Sequence, residues 1–123
     1  MKAILKSISN DDHDLDKFYP EDESVFSLWL LLRIGAENSS GADNFDLRVC
    51  TPEWLCKNRW LPELMRHTLL VRKYDLEEIK KIITDYIDQC EGNDWMEIVQ
   101  KLSRVFAWEY EDYQPVKTLY RPC

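Results

Sequence analysis

Glycine is scarce in this chain, three in 123 residues, too few for the glycine-rich loops with which enzymes cradle phosphates. Histidine is scarcer still, with His13 and His67 alone. None of the cysteines, Cys50, Cys56, Cys90 and Cys123, stands in a Cys-x-x-Cys pair, so the ligand spacing of a zinc site is missing. No motif sets a histidine beside a cysteine, which leaves no activated thiol nucleophile. Long apolar runs are missing too. The longest, Leu28 to Leu32, has the length of a strand, far short of the ~20 residues that span a membrane. The N-terminus does not follow the basic, apolar, small-residue order of an export signal. A cytoplasmic protein with reduced thiols and no cofactor is therefore expected.

Positive charge is also in deficit. Sixteen Lys and Arg face 23 Asp and Glu, a formal net charge of −7, which argues against a phosphate-binding, nucleic-acid surface. What the chain does have is apolar and aromatic material: 45% hydrophobic residues, five Trp and six Tyr. That composition folds, and the length suits one domain spanning 1–123. The negative charge is concentrated near the front. Between Ser9 and Glu23 stand Asp11, Asp12, Asp14, Asp16, Glu21, Asp22 and Glu23 against Lys17, seven negative charges less one positive, or −6. Such a field draws a cationic partner and speeds its capture.

Alternation of apolar and polar residues marks the strands. Residues 2–8 read as a first strand, with Ile4 and Ile8 alternating with Ala3, Leu5 and Ser7. The acidic stretch then reads as a loop of about fifteen residues, long enough to be functional or else a solvated connector. In residues 25–35 one face carries Phe26, Leu28, Leu30, Leu32 and Ile34, while the other mixes Val25, Ser27, Trp29, Leu31 and Arg33. After a polar turn, Phe45, Leu47 and Val49 define a third strand, forming an antiparallel hairpin with the second. Residues 68–74 suggest a fourth.

Helices announce themselves by their caps. Thr51-Pro52-Glu53 places a threonine cap, a first-turn proline and an acidic residue in order, starting a short helix over 51–61 that turns Trp54 and Leu55 inward. Asp75 with Glu78 and Asp94 with Glu97 repeat the capping-box spacing. The first precedes a stripe of Leu76, Ile79, Ile82, Ile83, Tyr86, Ile87 and Cys90. The second precedes Trp95, Ile98, Val99, Leu102, Val105 and Phe106, predicting a last helix to about Tyr113. Strands first and helices afterwards imply an α+β fold: an antiparallel sheet of about four strands, with two C-terminal helices on one face. The opposite face, with Trp29 and Leu31, is then a contact surface unless the short helix covers it. It would equally serve a homodimer.

Two motifs resemble a known family. Val49-Cys50-Thr51-Pro52-Glu53-Trp54-Leu55 and Trp108-Glu109-Tyr110-Glu111-Asp112 are similar to those of immunity protein 8, found in bacterial polymorphic-toxin and contact-dependent inhibition systems. The resemblance runs over nearly the whole chain in element order. It implies a non-enzymatic protein that binds and neutralises a cognate toxin domain in the cytosol of the producing cell, with Thr51, Pro52, Trp54 and Trp108 serving the fold. A basic nuclease toxin would suit the acidic charge. The expected toxin contacts are Asp11, Asp12, Asp14, Asp16, Glu21, Asp22 and Glu23 for steering, Trp29 as anchor, and Glu109, Glu111 and Asp112 as a second cluster. The basic residues Lys57, Arg59, Arg66, Arg72 and Lys73 could touch nucleic acid, pair with the acidic loop or simply be solvated. Two other functions fit the residues: a metal-dependent hydrolase or nuclease centred on Asp11-Asp12-His13-Asp14, and an intracellular adaptor without a toxin.

Overall fold

A computed structural model describes residues 1–111. Its elements follow in the order β1 (Ala3–Ser9), β2 (Ser27–Ala36), β3 (Asp43–Cys50), α1 (Pro52–Asn58), β4 (Thr68–Leu70), α2 (Leu76–Gln89), α3 (Trp95–Leu102) and β5 (Ala107–Trp108). The apolar row of β2 meets that of β3 directly: Leu28 lies opposite Val49, Leu30 opposite Leu47 and Leu32 opposite Phe45. All six are buried, and α2 and α3 close over the same core with Ile79, Ile83, Ile87, Ile98, Val99 and Leu102. Each such side chain contributes roughly 1.5–3 kcal/mol on leaving water, so this layer dominates the stability of the fold. The α+β architecture is as expected, with both C-terminal helices on one sheet face.

The helix starts also follow the sequence. Thr51 Oγ1 accepts the Trp54 backbone N–H at 3.3 Å, Asp75 Oδ1 that of Glu78 at 3.2 Å, and Asp94 Oδ1 that of Glu97 at 2.8 Å. Thr51 is fully buried and also accepts the Phe26 N–H at 3.3 Å, so one hydroxyl ties β2 to the start of α1.

Several elements differ from expectation, each for a local reason. In β1 the register shifts between Leu5 and Ser7, leaving Lys6 as a bulge. The extra residue resets the alternation: Leu5 faces inward opposite Ile34 and Ile8 opposite Leu32, while Ile4 turns out to solvent. The fourth strand is only three residues long and runs parallel to β3, entered through His67 at φ 56°. Its continuation turns inward instead, burying Val71 and Tyr74. The last helix stops at Leu102. Val105 and Phe106 keep the helical spacing but are carried by a turn whose N–H groups bond Leu102 O, and Ala107–Trp108 then pair with Phe45 and Asp46 as a fifth strand. Asp112 and Tyr113 lie outside the described residues. Gly35 is required by close approach: a Cβ there would sit 2.1 Å from the Gly41 carbonyl oxygen.

Candidate surface for partner binding

Burying one face of β2 and β3 under helices leaves the other face to solvent. Trp29 stands on it at 49% exposure, beside half-buried Leu31. The short helix α1 does not cover this face. It ends at Asn58 and has no fully buried residue, Trp54 and Leu55 being half-buried at most. The guanidinium of Arg48 lies 5.0 Å from the Trp29 ring centre and 5.8 Å from that of Trp54, with Arg59 5.3 Å from Trp54 on its far end. The result is a row of alternating tryptophans and arginines, each pair held by attraction of the cation to the ring's electron-rich face. Arg48 Nε is buried there with no hydrogen-bond partner. Past Arg59 the chain exposes Trp60 and Leu61 at 82% each and Leu64 fully.

The acidic stretch is anchored, not a loose connector. Leu15 is buried, and Phe18, Tyr19 and Phe26 pack edge-on around Tyr74 with ring centres 5.2–5.4 Å apart. Asn10 Oδ1 accepts the N–H groups of Asp12 and His13, while its Nδ2 donates to the Trp29 carbonyl at 2.6 Å. The seven carboxylates are all exposed, and six of them are distributed over different hollows or local hydrogen bonds. Asp11 and Asp12 line a hollow of about 410 Å³ on the open sheet face with Asn10, Trp29, Leu30, Leu31 and Asp46. Asp14 and Asp16 share a smaller one with Lys80, and Asp16 and Glu23 line a third against Tyr19 and Tyr74. Asp22 is bound to Ser24 through both its backbone N–H and its hydroxyl, which holds its carboxyl below the ordinary carboxylate range. Glu23 accepts the Tyr19 hydroxyl at 2.7 Å, and that bond pushes the phenol's pKa up. Glu21 projects from the same stretch without entering any of these hollows.

In the second acidic cluster, Glu109 accepts from Asn44 at 3.1 and 3.3 Å, and Glu111 pairs with Arg66 at 3.0 Å. Both therefore also brace β3 and the approach to β4. Asp112 lies outside the described residues. Of the basic segment, Arg59 is stacked on Trp54 and Arg66 is paired with Glu111, so neither bonds the acidic stretch.

One residue absent from the expected set stands at the centre. Asp46 projects exposed from β3 opposite Leu31; the water it loses to its neighbours, then the charges of Asp11 and Glu109, push its carboxyl up from the usual range. The signal was a lone acid at an outward position of β3, visible only once the strands are paired. Conversely, Trp108 proves structural in part: its indole N–H and that of Trp95 both donate to Asp43 Oδ2, at 3.0 and 3.1 Å.

Among the described residues, no group of three or more His, Cys, Asp or Glu side chains is placed to hold a metal. His13 stacks on Phe18 instead, 4.4 Å between ring centres. Cys50 and Cys90 are free and buried, and burial pushes both thiols up, away from nucleophilic range. Among the described residues, no helix is long and apolar enough to cross a membrane.

The family model of immunity protein 8 matches residues 3–113. The chain belongs to the immunity protein 8 family. No curated protein and no solved structure gives a match. Membership in the immunity protein 8 family implies a protein that neutralises a toxin, and therefore a toxin as its protein partner. An exposed tryptophan in an acid-lined hollow is suitable material for holding a protein partner. The Thr51-Pro52-Glu53 motif of this immunity protein is a helix start, with the hydroxyl turned into the core.

Proposed function

We propose that this immunity protein neutralises a basic toxin domain, such as a nuclease, by docking it on the open face of the sheet. The observation that carries the reading is the half-exposed Trp29 at the wall of a hollow rimmed by Asp11, Asp12 and Asp46. Carboxylates at the rim raise the rate of encounter with a cationic surface, and the desolvated aromatic slows departure. The remaining acids of the front segment, Asp14, Asp16, Glu21, Asp22 and Glu23, extend the negative field around the sheet edge. Trp60, Leu61 and Leu64 add apolar area next to the tryptophan–arginine row. The protein acts without catalysis, in the cytoplasm of the toxin-producing cell, within a contact-dependent inhibition or other polymorphic-toxin system.

The test is rescue. A host expressing the toxin domain encoded beside this gene grows when the chain is co-expressed, and dies when Asp11, Asp12 and Asp46 are changed together to Asn and Trp29 to Ala. Growth that survives all four changes contradicts docking on this face. Failure of the unaltered chain to protect, despite folded expression, contradicts neutralisation of that toxin.

A further inference from the structure

We propose that the hollow beside Trp29 is a receptor for a single arginine side chain of the partner, its guanidinium held by the indole and the carboxylates of Asp11, Asp12 and Asp46. This deepens the toxin-docking reading and rests on it for the source of the arginine. Four features of the hollow select that group.

The first is sign. Among the described residues, three carboxylates line the hollow and no basic side chain does. Arg48, the cross-strand neighbour of Trp29, is stacked between Trp29 and Trp54. The second is unrelieved repulsion. Asp46 is exposed at the hollow with Asp11 and Glu109 as its charged neighbours, so its ionised form sits among like charges that an entering cation would offset. The third is the wall. Trp29 and Leu31, neighbours on the open face of β2, offer apolar surface to the methylene stem of a long basic side chain. Fourth, the protein already shows the pairing it would repeat: one guanidinium lies 5.0 Å from the Trp29 ring centre, while half of that residue remains open to solvent. Arginine is preferred over lysine because its planar fork stacks on an indole and bonds a carboxylate through two N–H groups at once. A divalent metal is disfavoured, since no three acids among the described residues are placed to ligate one.

The probe is N-acetyl-arginine amide, titrated into the isotopically labelled full chain and followed by NMR at the five tryptophan indole N–H signals. N-acetyl-citrulline amide, nearly the same shape without the charge, is the control. The Trp29 signal is expected to shift saturably with the arginine compound, at least about fivefold more weakly with citrulline, and not at all in Asp46→Asn. Equal response to both compounds, or no saturable shift up to about 50 mM, overturns the proposal. The same variants are then measured against the toxin domain from the adjacent reading frame. Asp46→Asn and Trp29→Ala are each expected to weaken that complex at least tenfold, whereas Glu77→Gln on α2 leaves it unchanged. If the unaltered chain neutralises the toxin and both variants bind as tightly, the arginine receptor is wrong and toxin neutralisation stands. If the unaltered chain does not neutralise it, the toxin reading falls, and the small-molecule titration alone decides the hollow.

Discussion

Replacing Asp43 with alanine removes a carboxylate oxygen that holds two tryptophans at once. Asp43 Oδ2 accepts from Trp95 at the start of α3, at 3.1 Å, and from Trp108 on β5, at 3.0 Å. Hydrogen bonds to a charged group contribute about 1.5–3 kcal/mol each. These donors are only partly buried, so the lower end applies and the pair comes to about 3 kcal/mol. For a chain of this size each kcal/mol moves the melting temperature by roughly 4 °C, giving a fall of roughly 12 °C. Urea unfolding followed by tryptophan fluorescence measures the loss, and an unchanged denaturant slope ensures that stability itself has moved. Asp43→Asn keeps an amide oxygen but loses the charge, and is expected to recover about half. A cost below about 0.5 kcal/mol for Asp43→Ala, the range of ordinary surface changes, refutes the clip. Affinity for the toxin, measured on the folded variant, is expected to stay unchanged, because Asp43 lies outside the Trp29 hollow.

Thr51→Ala removes both the cap of α1 and the acceptor of the buried Phe26 N–H; a loss of about 2–3 kcal/mol is expected by chemical denaturation, with Thr51→Ser restoring most of it. Asp46→Asn is expected to stabilise the free protein slightly at pH 7, by no more than about 0.5 kcal/mol. The sign follows from the raised carboxyl: the folded state disfavours the ionised form, so this penalty is present above the folded pKa and fades as pH falls toward the unfolded value of about 3.9. Melting curves of the two proteins from pH 7 to pH 4 should therefore converge, and a gap that widens on acidification contradicts the assignment. Glu111→Gln breaks the pair of a half-buried carboxylate with the exposed Arg66 and should change stability by less than about 1 kcal/mol in denaturant melts.

The core of the fold was legible because its signals are local. Alternation in β2 and β3, helical spacing after Asp75 and Asp94, and the Thr51 cap each lie within a few residues of sequence. What escaped reading depends on partners far apart. The bulge at Lys6 appears only when β1 is laid against β2, and nothing in Ala3–Ser9 alone says which apolar set faces in. The spacing of Leu102, Val105 and Phe106 fits a helix and a tucked turn equally well; the pairing of Ala107 and Trp108 with β3 decides for the turn. The acidic stretch carried a usable hint, since Leu15, Phe18 and Tyr19 are out of place in a solvated connector, and Leu15 and Phe18 are what packs it down. At the candidate surface, Trp29, Asp11 and Asp12 were identifiable from sequence. Asp46 and Arg48 were not, because an outward residue of a strand gains meaning only from its cross-strand neighbour, and those neighbours stand on β2.

The most direct measurement is the association rate of this chain with the toxin domain as a function of salt, for the unaltered protein and for the variant with Asp11, Asp12 and Asp46 changed to Asn. If the open sheet face steers the encounter, the unaltered chain associates faster by about tenfold or more at low ionic strength, and the two rates approach each other as added salt shortens the screening length. Identical rates with identical salt dependence would show that the toxin is met elsewhere on the molecule.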